Sequence, residues 1–465
     1  MKQRIEQINS EMARGQGLVE GEEVSYADIR DAIRNPENFA KRIESSDVEI
    51  SDGVSLSSRS VELGEGAFTN VYDLSFDNTD PALNARIITR QHPLYAHRLF
   101  VNELSNLSST DRPVACINGA FFFLQDEQLK KTPKEIIYNL NIRDGKVLGL
   151  PAVDRPALIV NKEGHINASE LEASGIIMIG EKEVGWIGGE KIAHKKQNQE
   201  KGVSTKYNTV LFNSACCTIE YENPEDKTSL RKLRQDLNQT PKGDEVIDIV
   251  VSADEQGNLS VSSINPGGGT DFFDGNFILQ MKKVESEGIQ VGDEVNPKTI
   301  GRLNLNEVKS AMTTGPSVGH FLGHSDHEIN CDPSLGSFPP FAANMRYARS
   351  VMYEDKKGYI HMVVFDAVPR SKDMKGVTPY ETAKNIPEDV KWSVFLDGGQ
   401  SSRVTFETID SETGNPKIDA RGNKQYVRLH KRDKKSQTVG ADDQFLWTTR
   451  GRPLSSIVAL YRHKQ

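Results

Sequence analysis

The sequence predicts an α+β fold: mixed β-sheets flanked by helices, a helical N-terminal extension, and a C-terminal βαβ unit carrying the site. Three observations lead there. Residues 1 to about 50 place Ile29, Ala32, Ile33, Phe39 and Ile43 at helical spacing on both sides of Pro36. From Val54 the pattern changes to short alternating or apolar runs bounded by Gly, Pro, Asn or Asp, which read as strands. Near the end, a buried strand, a capped helix and a second buried strand follow one another over short connections, the order of a parallel βαβ unit.

Taken in order, the extension covers 1–52 and breaks near its proline, which cannot continue a helix. The remaining residues, 53–465, are expected to form the catalytic domain. With 465 residues the chain exceeds what one hydrophobic core usually supports, so sub-domains are expected within it. Strands are expected at 85–89, 113–118 and 157–160. The polar, Lys/Gln-rich stretch 194–206 reads as an exposed sub-domain joint. Further strands fall at 208–213, 246–252 and 277–281. Asn265-Pro266-Gly267-Gly268-Gly269 reads as a flexible turn in preference to a phosphate cradle, because neither a helix nor a Lys-Ser/Thr pair follows it. The βαβ unit comprises a strand at 359–366, a helix at 378–386 opened by Thr378-Pro379, and a strand at 391–396.

Composition narrows the function. The net charge is −9, with Lys and Arg spread along the chain, so a broad basic face for nucleic acid is excluded. No run approaches the roughly 18 apolar residues of a membrane span. The first residues carry no apolar stretch, so a cytoplasmic location is expected, with export by a signal-less route kept open. Four cysteines in so long a chain, two of them adjacent (Cys216 and Cys217), read as free thiols and not as a disulfide framework.

In a βαβ unit the residues just past the carboxyl ends of the strands meet at one edge of the sheet, where ligands bind. Asp366 ends the first strand and Asp397 the second, which suggests two carboxylates facing one pocket. For Asp366 a turn-capping role is an equal alternative. Gly398-Gly399 lets the backbone approach a ligand closely, and Ser401 and Ser402 add hydroxyl donors; successive N–H groups in such a turn hold an anion. A serine nucleophile is disfavoured, since the segment lacks Gly-x-Ser-x-Gly spacing. Arg349 has the planar fork suited to a phosphate, whereas Arg346 reads as half of a surface pair. Asn118 ends a strand as the aspartates do and is a candidate for a ligand hydroxyl at the same edge. The phenylalanines that follow it read as core.

Asn118-Gly119-Ala120-Phe121-Phe122, Thr314-Gly315-Pro316, Arg349-Ser350, Val363-Val364-Phe365-Asp366, Gly376-Val377-Thr378 and Leu396-Asp397-Gly398-Gly399-Gln400-Ser401-Ser402 occur in the order and broadly at the spacing of the phosphodiester glycosidase family, which the chain resembles over about residues 55 to 463. The resemblance implies hydrolysis of the bond between a sugar's anomeric carbon and a phosphodiester oxygen, with a sugar-1-phosphodiester or sugar-nucleotide-like substrate. It implies a site of Asp397, Gly398, Gly399, Ser401, Ser402, Arg349, Asn118, Gly119 and Gly315, with no cofactor and no metal. Two positions depart from the family pattern: Ala120 and Gln400 stand where glycine is usual, which bears on substrate choice and on activity. For the carboxylate that supports an oxocarbenium-like centre or activates water, Asp397 is first, Asp366 second and Glu381, in the connecting helix, third.

Two other functions compete. His320, His324, Asp326, His327, Cys331 and Asp332 are residue types that bind zinc, so a metal-dependent phosphodiesterase is one, although their spacing matches no common zinc pattern. A non-catalytic glycan or sugar-nucleotide binding module is the other, given the altered glycine signatures.

Overall fold

A computed structural model describes residues 45–63, 68–89, 111–120, 139–189, 208–216, 219–221, 231–233, 238–321, 346–367, 376–398, 402–407, 426–430 and 456–463. Strands dominate them. A six-stranded sheet is ordered β1 (Ser45–Ser51), β2 (Val54–Glu62), β3 (Phe68–Asp77), β21 (Tyr359–Phe365), β20 (Arg349–Glu354), β22 (Trp392–Phe395). A five-stranded sheet is ordered β24 (Tyr426–His430), β23 (Arg403–Glu407), β5 (Asp111–Asn118), β25 (Ser456–His463), β4 (Leu83–Thr89).

A second five-stranded sheet runs β7 (Lys146–Gly149), β6 (Asn141–Arg143), β19 (Val308–Thr313), β8 (Arg155–Asn161), β9 (Ile166–Leu171). A closed barrel contains β10 (Ser174–Ile179), β11 (Lys182–Gly188), β12 (Thr209–Phe212), β17 (Phe277–Lys282), β15 (Val246–Ala253), β16 (Leu259–Pro266) and β18 (Glu294–Ile300). A hairpin of β13 (Ile219–Tyr221) and β14 (Arg231–Leu233) completes the set, and α1 (Pro379–Lys384) is the one α-helix among the described residues.

The architecture is therefore mostly β with a closed seven-stranded barrel, which overturns the expected α+β class with flanking helices. The last residues of the expected helical extension are a strand: residues 45–51 are β1, joined to β2 through Asp52-Gly53 with Ser51 opposite Val54. Gly53 has φ of 68°, a left-handed conformation that glycine takes without strain. Residues 1–44, where the helical spacing lay, and the 194–206 joint are outside the described residues. The class was misjudged because short polar-bounded strands carry a weaker periodic signal than an amphipathic helix does.

One core fills the space between the six-stranded sheet and the sheet that contains β5. From the first come Tyr72, Leu74, Phe76, Met352, Met362 and Val364; from the second, Ala115, Ile117, Val404, Phe406, Val458 and Leu460. On the other side of the six-stranded sheet Val351, Val363, Phe365 and Phe395 pack with Val377, Ala383 and Phe321, residues of α1 and its neighbouring turns. β21 is thus covered on both faces at its end, which is why Met362 to Phe365 read as a continuous apolar run. A separate core around Trp186, Leu211, Ile249 and Leu279 fills the barrel.

The βαβ reading needs one correction. β21 and β22 do run parallel, but β20 lies between them and pairs antiparallel with both. That inserted strand begins at Arg349, so its start lies at the edge where the two flanking strands end. The helix is shorter than expected, 379–384, and is opened by a complete capping box: Thr378 Oγ1 accepts from the Glu381 N–H, and Glu381 accepts from the Thr378 N–H. Thr378→Ala should lower the unfolding free energy by about 1 kcal/mol, seen as a reduced denaturation midpoint with an unchanged denaturant slope.

The Gly267–Gly269 segment has φ of 89°, 70° and 79°, and a Cβ on Gly268 would lie 2.2 Å from the Pro241 carbonyl oxygen. It forms a tight turn packed on neighbouring backbone.

Candidate active site

Register fixes the centre of the site. Arg349 lies opposite Phe365 on one side, and continuing the Val351–Phe395 register by two residues sets it opposite Asp397 on the other. Asp366, Arg349 and Asp397 therefore share one edge of the sheet, contributed by three neighbouring strands. All three are buried, with relative exposures of 5%, 5% and 8%.

Asp397 is held by the other sheet. Its N–H donates to the Gly119 carbonyl at 3.0 Å, and its carbonyl accepts from Asn118 Nδ2 at 2.7 Å. Asn118 Oδ1 in turn accepts from the Ser350 hydroxyl at 2.7 Å. The Asn118 amide thus braces β20 and the turn after β22 against the end of β5, which makes it a positioning group for Asp397 more than a free sugar ligand. Gly119 is required by close approach: a Cβ there would meet Ser456 Oγ at 2.4 Å. Ala120 is buried, and its N–H donates to Ser456 Oγ at 2.8 Å, so the methyl that replaces the family's usual glycine is accommodated here.

Each aspartate turns one carboxylate oxygen onto the next N–H: Asp397 Oδ1 accepts from Gly398 at 2.9 Å, and Asp366 Oδ1 from Ala367 at 2.7 Å. The backbone of Asp366 is clamped by β3, its N–H donating to the Asn70 carbonyl and its carbonyl accepting from Thr69 Oγ1, both at 2.8 Å. Turn-capping and substrate-facing roles for Asp366 are compatible, since a carboxylate has a second oxygen.

Arg349 Nε donates to the Val377 carbonyl at 3.2 Å, and that carbonyl also accepts the Tyr347 N–H at 3.1 Å. The segment comes this close because Gly376 has φ of 86° and no Cβ, which would sit 2.4 Å from the Tyr347 carbonyl. Burial pulls the Arg349 pKa down to about 10, partly opposed by Tyr347, so the guanidinium is a desolvated cation at neutral pH. A Cβ on Gly398 would be 3.9 Å from Arg349 Nη1 and 3.3 Å from the Ala348 carbonyl oxygen, so Gly398 lies beside the start of β20 and its arginine. Gly315 lies alongside, its N–H donating to the Phe395 carbonyl at 2.7 Å.

Glu381 is occupied elsewhere, capping α1 and pairing with Arg346, the partner that the surface-pair reading of Arg346 lacked. Ser402 is fully buried, and its hydroxyl has no hydrogen-bond partner among the described residues. Gly399, Gln400, Ser401 and Phe121–Phe123 lie outside the described residues, as do His324, Asp326, His327, Cys331 and Asp332. His320 is described and exposed, at the end of a short 3-10 turn. Sequence reasoning missed Asn70 and the Val377 carbonyl. The signal for Asn70 was available: an antiparallel strand starts where its neighbours end, and Thr69-Asn70 stands at the start of β3.

No known family profile and no curated protein matches the chain. Among solved structures, a hypothetical protein from Synechocystis is similar with 14% identity and a TM-score of 0.51 over 90% of this chain. That likeness shows a shared fold, and the chain spans 64% of that protein's length. A zebrafish N-acetylglucosamine-1-phosphodiester alpha-N-acetylglucosaminidase catalytic domain aligns over 91% of this chain and 89% of its own, with 9% identity and a TM-score of 0.35. No helix among the described residues is long and apolar enough to cross a membrane.

Proposed function

We propose that the chain is a hydrolase that cleaves the bond between a sugar's anomeric carbon and a phosphodiester oxygen. The observation that carries this reading is the shared edge: a buried arginine on the strand between two that end in aspartates, with Gly398 beside it. The motif order from Asn118 to Ser402 supports it from the sequence.

The chemistry suits these groups. A sugar alkoxide leaving group needs an acid to protonate it, but a phosphomonoester anion leaves without one, so the demand shifts to binding phosphate and supporting positive charge at the anomeric carbon. Arg349 and the Gly398-to-Ser402 segment of the motif bind the phosphate. The C1–O bond breaks with its electron pair going to the phosphate oxygen. Asp397 supports the developing cation, and a water adds to C1 while giving its proton to a carboxylate, Asp397 or Asp366. Glu381 serves the helix cap and the Arg346 pair.

The test is hydrolysis of a panel of sugar-1-phosphodiesters and nucleotide sugars in ¹⁸O-water. Cleavage at carbon places the label in the released sugar. Label in the phosphate would mean attack at phosphorus and would move the function to a phosphodiesterase, while binding without turnover would leave only a binding module.

A further inference from the structure

We infer that Asn70 is a specificity-determining residue that donates a hydrogen bond to a hydroxyl of the substrate's sugar, beside Asp366. The inference rests on the sugar-phosphodiester reading and adds a residue that none of the motifs contains.

Asn70 is 4% exposed, and its main-chain carbonyl holds the Asp366 N–H at 2.8 Å, so its side chain springs from the backbone adjacent to that carboxylate. Its Oδ1 accepts from Ser60 Oγ at 3.1 Å, across the β2–β3 register. Its Nδ2 has no hydrogen-bond partner among the described residues. Turned over, the amide would leave its oxygen spare instead, so one of its heavy atoms is unused in either orientation. Leaving a buried amide group unpaired is costly, and a structural asparagine would have both ends satisfied, as Asn118 and Asn139 do.

Direction follows from strand alternation. Tyr72, Leu74 and Phe76 face the core between the two sheets, so Asn70, two residues earlier, faces the rim of the same space. Val404 and Phe406 face it from the opposite sheet, so Ser402 does too, and its buried hydroxyl is the second unpaired polar group there. Two spare groups from two facing sheets, at the end that carries Asp366 and Asp397, mark where a neutral polar ligand enters. By the same alternation Arg349, two residues before Val351, starts toward the opposite face, so a substrate with its charged part at Arg349 and its ring hydroxyls at this rim would span the end of the sheet.

The test measures binding by calorimetry for the methyl phosphodiester of glucose 1-phosphate, its 2-, 3-, 4- and 6-deoxy analogues, and methyl phosphate. Wild type should lose about tenfold in affinity for one deoxy analogue, the size of one hydrogen bond. Asn70→Leu should bind the parent about tenfold more weakly, bind methyl phosphate as before, and no longer distinguish that analogue. It should melt close to wild type, because it removes an unpaired amide group along with the single Ser60 hydrogen bond, whereas an asparagine with both ends satisfied would cost more stability. Asn70→Asp keeps the acceptor for Ser60 but cannot donate; it should lose the same discrimination and carries the test if the leucine variant does not fold. Full discrimination retained in either variant overturns the role of Asn70 while leaving the hydrolase standing. Binding lost as expected but with no turnover by wild type upholds Asn70 and sinks the hydrolase. A wild type that binds the sugar diesters no better than methyl phosphate overturns both.

Discussion

Asp397→Asn is expected to lower kcat by about 10³-fold on the best sugar-1-phosphodiester, in the range a single catalytic carboxylate contributes. The fold should survive, because each contact that positions the residue is kept. Its N–H and carbonyl, bonded to Gly119 and Asn118, are main-chain groups, and the amide oxygen of asparagine still accepts from the Gly398 N–H. What the substitution removes is negative charge beside the anomeric carbon. KM should change little, since the phosphate still meets Arg349. Steady-state kinetics beside a thermal melt decides it: turnover within tenfold of wild type takes Asp397 out of the reaction. Glu381→Gln serves as the contrast, because its loss should appear in the melt through the helix cap and the Arg346 pair, with kcat unmoved.

That contrast shows how far the sequence could be read. The shared edge was legible, because strand ends are marked by a change from apolar residues to Asp or Asn, and Asp366, Asp397 and Asn118 each stand at such a change. The strand between the two aspartates was not: Arg349-Ser350-Val351-Met352-Tyr353-Glu354 opens on a charged residue that sequence reading assigned to a ligand, and nothing local says that the following run inserts between β21 and β22. Class was lost for a related reason. Barrel strands such as Glu294–Ile300 alternate weakly and are half exposed, so they carry little periodicity, and their closure depends on pairings between residues far apart in sequence. The pairing of Glu381 with Arg346 and the bonds of the Asn118 amide to Ser350 and the Asp397 carbonyl depend on partners far away in sequence and could not be read locally.

Arg349→Met should separate stability from activity most sharply. Burying the guanidinium carries a desolvation cost, so the loss of stability in Arg349→Met should be smaller than its loss of activity. The pH behaviour follows from the lowered pKa. Below about pH 10 the guanidinium is charged in both folded and unfolded chains, so the cost of burying it is present in full; it fades only as pH rises from there toward the ordinary value of 12.5. At neutral pH the native state therefore carries the whole burden, and an anion seated against Arg349 would offset it. Two results should follow. Wild type should melt higher as inorganic phosphate is added, in proportion to its occupancy, while Arg349→Met should not respond. On the diester substrate the same variant should lose about 10²- to 10³-fold in kcat/KM, the usual consequence of removing one preorganised donor from a developing negative charge. Arg349→Lys should recover little of it, because a point charge replaces the planar fork and the Nε–H that anchors the side chain to the Val377 carbonyl is gone. A methionine variant that is destabilised yet fully active would show that the arginine is a packing element of the sheet edge, and the phosphate would have to be bound elsewhere.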